Sequence, residues 1–170
     1  MDIMTKSRPL ILSCADVFPV AQQLMQEGIA IRLTVSGSSM WPLLRHNRDS
    51  VLINSLSRPV RIGDIVLVRF DTSTSKYLLH RVIRLHGEDC VTAGDGNTFM
   101  DGMIPTSQII GKVERVFRGS LMIDCSSAFW RFLFTAWRLC FPLRKFLLKG
   151  LKTISRWKAG VRSFRKMSNL

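Results

Sequence analysis

Val35-Ser36-Gly37-Ser38-Ser39-Met40-Trp41-Pro42 is the densest stretch of chemistry-bearing residues in this 170-residue chain. A strand-like run leads into it, and Gly37 allows a sharp turn. A serine just after such a turn exposes its hydroxyl and its backbone N–H together. That suits a nucleophile, because the same N–H can help bind an oxyanion. Taken alone, the stretch also reads as a plain Ser/Gly turn between strands. A nucleophilic serine needs a base, and the chain has three histidines. His46 lies in the polar turn Arg45-His46-Asn47-Arg48 and reads as solvated. His80 and His86 lie in the apolar run Leu78 to Leu85 and its end, and share a face on a period of two. Acids follow in Gly94-Asp95-Gly96-Asn97-Thr98-Phe99-Met100-Asp101. That segment also reads as a hairpin turn, since Asp-Gly favours type I′. It is a poor calcium loop, because the ligand spacing and terminal Glu are absent.

The elements that must hold these residues follow from the hydrophobic pattern. A helix is expected over 17–27, with Asp16 as N-cap and Gly28 as the stop. Strands are expected over 31–35, 50–54, 64–70, 76–86, 90–93, 110–117 and 120–123. Turn signals separate them at Arg61-Ile62-Gly63-Asp64, His86-Gly87-Glu88-Asp89 and Arg118-Gly119. Short strands without alternating helices predict a mainly β, antiparallel body. From Ser126 the period becomes helical. Trp130, Leu133, Phe134, Trp137 and Phe141 recur at three to four residues, Pro142 breaks the helix, and a second stripe starts at Leu143.

Charge divides the chain the same way. Residues 1–125 carry 14 basic and all 12 acidic side chains, whereas 126–170 carry 11 basic and no acidic ones. A composition that is 46% hydrophobic and 22% charged excludes a wholly disordered chain. Cys14, Cys90, Cys125 and Cys140 form no C-x-x-C pair, which argues against a disulfide scaffold or zinc site and for free thiols. No segment reads as a signal peptide or a spanning helix. The body is therefore expected in the cytoplasm.

In order along the chain stand Gly37-x-Ser39-Met40-x-Pro42, Arg61-x-Gly63-Asp64-Ile65-Val66, His80-Arg81-Val82 and Gly94-Asp95-x-Asn97-x-x-x-Asp101. This order resembles the S24/S26 serine peptidases, which include type I signal peptidases and self-cleaving repressors. The resemblance spans residues 30–118. It implies a nucleophile at Ser39, a general base at His80, and Asp101 as the third member that orients the histidine. Asp95 is the nearby acid and fallback for that role. His80 stands where the bacterial signal peptidases place a lysine, as in the endoplasmic-reticulum and archaeal branch. An imidazole, with an ordinary pKa of ~6.5, can accept a serine proton without strong desolvation. Gly37 occupies the place of a common oxyanion serine, with Ser38 and the Ser39 N–H as substitutes. The cationic tail and the lack of an N-terminal anchor depart from the signal peptidases. Small residues before the scissile bond are expected if the resemblance reaches the pockets.

The tail pattern, apolar on one side and Lys/Arg on the other, is that of an interfacial membrane helix. Trp130, Trp137, Trp157, Arg144, Lys149 and Lys152 are the expected lipid-facing residues. The alternatives are an apolar stripe packed on the body with solvated charges, and a nucleic-acid arm, for which no reading module is present. The expected organisation is a helical lead-in (1–29), a peptidase-like β domain (30–125) and a cationic amphipathic helical tail (126–170). The expected function is a serine endopeptidase acting on a protein or leader peptide near an anionic membrane surface, without metal or organic cofactor. The alternative is a non-enzymatic membrane or nucleic-acid adaptor on an idle peptidase fold.

Overall fold

The computed structural model describes residues 14–70, 76–151 and 153. A helix, α1 (Cys14–Gln26), precedes the strands β1 (Ile31–Thr34), β2 (Asp49–Asn54), β3 (Ile65–Phe70), β4 (Lys76–His86), β5 (Asp89–Ala93), β6 (Met103–Pro105), β7 (Ile109–Arg118) and β8 (Leu121–Asp124). A second helix, α2 (Ala128–Leu139), follows, then a 3-10 turn at Phe141–Leu143 and a further helical stretch over 144–151. The strands form one antiparallel sheet in the order β1-β2-β7-β3-β4-β5-β6, with β8 also paired to β7. The fold is mainly β, as the short alternating runs predict.

Period-two burial explains most of the sheet. In β2, Asp49, Val51 and Ile53 point inward, while Ser50, Leu52 and Asn54 are half-buried. In β7 the inward residues Val113 and Val116 are an odd number apart. A bulge resolves this: Ile53 pairs with Val113 but Leu52 pairs with Arg115, leaving Glu114 as the extra residue. One core gathers Met25, Val35, Met40, Leu44, Val51, Ile53, Ile65, Leu67, Val113, Val116 and Ile123. A second, on the other side of β3 and β4, gathers Val66, Val68, Val82, Cys90, Ile104 and Ile109. With both faces covered, β3 reads as the continuous apolar run Ile65-Val66-Leu67-Val68.

Two expectations shift. The helix starts at Cys14, so Asp16 lies inside it rather than capping it. The short strand β6 is absent from the sequence reading: three residues ending in Pro105 carry too little alternation to signal a strand, and proline is tolerated because β6 is the sheet edge. Gly28, at φ 83°, ends α1 as expected, with its N–H on Met25 O at 3.0 Å.

Candidate active site

Ser39 sits in the loop joining β1 to β2, and that loop is fastened at both ends. Val35 N–H donates to Asp49 O at 2.9 Å, and Asn47 N–H to Val35 O at 2.8 Å. The Asp49 carboxylate is fully buried. It accepts from Arg118 Nε at 3.0 Å and Nη2 at 2.6 Å, and from the Arg45 N–H at 3.0 Å. Arg118 also donates to Leu43 O at 2.7 Å, so one guanidinium ties the loop to β7. The hydrogen bond to Asp49 holds the Arg118 guanidinium above its ordinary pKa. Within the loop, Gly37 takes φ 88°, a left-handed conformation that suits glycine. Its N–H donates to Nδ1 of His46 at 3.0 Å. His46 is therefore not merely solvated, as its polar surroundings suggest. It braces the turn that presents Ser39.

The Gly94–Asn97 segment is not a hairpin tip. It follows β5 and lies directly on the serine turn, where Gly96 N–H donates to Ser39 O at 2.6 Å. A Cβ at Gly94 would fall 2.4 Å from Ser39 O and 3.0 Å from Ser39 Cβ; one at Gly96 would fall 2.7 Å from Trp41 O. Both glycines are needed for this close backbone approach. Ala93 pairs with Arg81, so the segment touching Ser39 leaves the sheet beside His80.

His80 is buried in β4, opposite Val66 of β3. Its Nδ1 lies 2.6 Å from Asp101 Oδ2, and the same oxygen accepts from Thr92 Oγ1 at 2.5 Å. Asp101 is held in turn by its N–H on Thr92 O at 2.8 Å. An ionised carboxylate can only accept, so Nδ1 carries a proton, and in the neutral ring Nε2 keeps its lone pair. Nε2 is buried with no hydrogen-bond partner, so the Ser39 Oγ–Nε2 bond of a closed triad is not made in this conformation. The structure thus joins His80 to Asp101 and brings the Ser39 turn to the adjoining segment. His86, which the alternation places on the same face, is exposed at the strand end, beyond the register shift between Val82 and Arg84.

Asp95 has a different partner. It is fully buried and forms a two-point pair with Arg81: Nε to Oδ1 at 2.8 Å and Nη2 to Oδ2 at 2.7 Å. Arg81 also donates to Gly63 O at 2.7 Å and lies 4.2 Å over the Phe134 ring. Asp95 therefore fixes the Gly94–Asn97 segment rather than orienting His80. Sequence reasoning missed Thr92 and Arg81. Arg81 stands inside a quoted motif, and a charged residue amid apolar strand neighbours was the available signal.

The first part of the tail closes over this segment. Trp130 packs against the main core, and Trp137 Nε1 donates to Asp95 O at 3.3 Å. Arg144 is fully buried; its Nη1 donates to Gly94 O at 3.1 Å and Asn97 O at 3.3 Å, and its guanidinium lies 4.4 Å over Phe141. Burial pulls its pKa below the ordinary arginine value. Trp130, Trp137 and Arg144 thus face the body rather than outward, because the indole N–H and guanidinium find carbonyls there. Lys149 is exposed; Trp157 and Lys152 lie outside the described residues.

Beside Ser39 opens a cleft of about 240 Å³, lined mainly by apolar side chains including Leu33, Val35, Met40, Leu67, Tyr77 and Leu79. Phe18 of α1 stacks on Tyr77 at its rim, ring centroids 4.3 Å apart. Among the described residues no group of His, Cys, Asp or Glu could hold a metal ion. Cys90, Cys125 and Cys140 are free thiols. No protein-family model matches the chain, and no curated protein matches it.

Proposed function

We propose that the chain is a serine endopeptidase of S24/S26 type, hydrolysing a peptide bond in a protein or leader-peptide substrate. The observation that carries this reading is the His80 Nδ1–Asp101 Oδ2 contact at 2.6 Å, which leaves Nε2 as a bare acceptor in the strand beside the Ser39 turn. In the proposed reaction Ser39 Oγ attacks the scissile carbonyl carbon as its proton passes to His80 Nε2. The carbonyl oxygen becomes an oxyanion, for which the Ser39 N–H is the proposed donor, with Ser38 in support and Gly37 shaping the turn. The C–N bond then breaks as Nε2 returns the proton to the leaving amine. Water, deprotonated by the same nitrogen, then adds to the acyl carbon; the ester bond to Ser39 Oγ breaks, Nε2 returns the proton to Oγ, and the acyl group leaves as a carboxylic product. Asp101 keeps the proton on Nδ1 and steadies the imidazolium; Thr92 fixes the carboxylate. The cleft gives the residues near the scissile bond an apolar seat. It is roomier than small residues alone would require.

The second reading is a non-enzymatic adaptor on an idle peptidase fold. It draws on the unpartnered Nε2, which makes no bond to Ser39 in this conformation. Catalytic hydrogen bonds often tighten only with substrate bound, which is why the peptidase reading is preferred. Incubating the full chain with a peptide library, beside Ser39→Ala, separates the two. The peptidase reading expects cleavage at defined bonds that disappears in the variant. An equally active variant, or a parent that cleaves nothing, overturns it.

A further inference from the structure

The tail has two apolar stripes, and the body uses only one. Trp130, Phe134 and Leu148 turn inward and pack. Phe129, Phe132, Leu139, Leu143 and Phe146 turn outward and are each between 59% and 73% exposed. Phe129, Phe132 and Leu139 recur at helical spacing on α2, and Leu143 and Phe146 follow them across the 3-10 turn and into the next helical stretch. Single exposed apolar residues are ordinary, but three phenylalanines and two leucines exposed within 18 residues are not.

We propose that this outward face is a docking surface for an anionic lipid bilayer, on which the protein lies with α2 and the following helix in the interface. Charge selects the occupant. Arg131, Lys145 and Lys149 are exposed around the stripe, and no acidic side chain occurs anywhere in 126–170. A single-signed field around an aromatic and leucine face matches a surface of uniformly negative headgroups above an apolar layer. No helix among the described residues is long and apolar enough to cross a membrane, which agrees with lying on the bilayer. The lipid-facing residues among the described ones are accordingly not Trp130 and Trp137 but Phe129, Phe132, Leu139, Leu143 and Phe146. Docking leaves the inward stripe in place, so Trp137 and Arg144 keep their hold on the Gly94–Asn97 segment while the outer face is engaged.

The test is co-sedimentation of the full chain with phosphatidylcholine vesicles, with and without phosphatidylglycerol. The parent should pellet with the anionic vesicles. Added salt should weaken that binding without abolishing it, because screening removes only the Coulombic part. Phe129→Ser/Phe132→Ser/Phe146→Ser should lower partitioning at least about tenfold. Circular dichroism should match the parent, since all three side chains are already exposed. Should that variant fail to fold, Lys145→Glu/Lys149→Glu, also at exposed positions, supplies the same readout with a loss of about tenfold or more. Ser39→Ala should bind as the parent does, which keeps this proposal separate from the peptidase reading. A parent that stays in the supernatant with anionic vesicles overturns the proposal, as does parent-like binding by folded forms of both surface variants.

Discussion

Replacing Asp95 by asparagine should cost far more stability than replacing Asp101, although both acids lie in the eight-residue segment Gly94–Asp101. Asp95→Asn removes one charge of a pair in which both side chains are fully buried, and leaves Arg81 with one amide oxygen in place of two carboxylate oxygens, beside the Gly63 carbonyl and the Phe134 face. Breaking a buried pair on one side costs about 3–5 kcal/mol, because the surviving charge is stranded in a low-dielectric interior. For a chain of this size each kcal/mol lowers Tm by about 2–4 °C, so a fall of about 6–20 °C is expected. With an m-value of about 2 kcal/mol/M, the urea midpoint should drop by about 2 M. The four tryptophans provide the fluorescence signal. Asp101→Asn keeps a side-chain carbonyl for Thr92 and His80, so its stability loss should stay near 1 kcal/mol. Its rate, in contrast, should fall on the order of 10⁴, since an amide no longer selects the productive tautomer. Asp95→Asn losing under about 1 kcal/mol, or Asp101→Asn proving the less stable of the two, would refute the division of roles.

Ser39→Ala should abolish hydrolysis with the urea midpoint unchanged, because one half-buried oxygen is removed; a shifted midpoint would make the serine structural. His46→Ala should lower kcat several-fold more than it raises KM, with His46→Asn partly restoring the rate, because only the acceptor for the Gly37 N–H is lost; equal effects of both variants would leave His46 without a positioning role. His80→Lys should leave hydrolysis abolished, because a lysine amine held by Asp101 has no second nitrogen to accept the serine proton; parent-like cleavage by that variant would contradict the assigned role. Burial pushes the Cys125 thiol up to about 12 and raises the Cys90 thiol as well. Both should resist iodoacetamide at pH 8 in the folded protein and react in urea; rapid labelling of native Cys125 would contradict the burial.

Much of the sheet was legible because its strands carry simple patterns. β2 alternates, and β3 opens on the apolar run Ile65–Val68 because both its faces are covered there. The four motif blocks also lead to Ser39, His80 and Asp101, and the histidine–carboxylate contact joins the latter two. What the sequence left hidden depends on long-range partners. Asp95 stands as a fallback to Asp101 beside the histidine until Arg81 is seen to occupy Asp95. His46 resembles any polar-turn residue until its ring meets the Gly37 N–H. The tail is the clearest case. A 3.6-residue period shows that apolar stripes exist, but two stripes were present, and nothing local says which one faces the body. Arg144 is one of eleven basic residues in a segment where none stands out, yet it is fully buried under two backbone carbonyls. Its burial is a property of where Pro142 turns the chain rather than of its neighbours.

The central claim is that Ser39 and His80 act as one catalytic unit, and a double-variant cycle on peptide hydrolysis measures that most directly. Residues that act together are strongly non-additive: once either is lost, the other has nothing left to contribute. Ser39→Ala, His80→Ala and the combined variant should therefore show the same residual rate, each several orders of magnitude below the parent. Losses that multiply in the combined variant, or a parent-like rate in either single variant, would contradict the account.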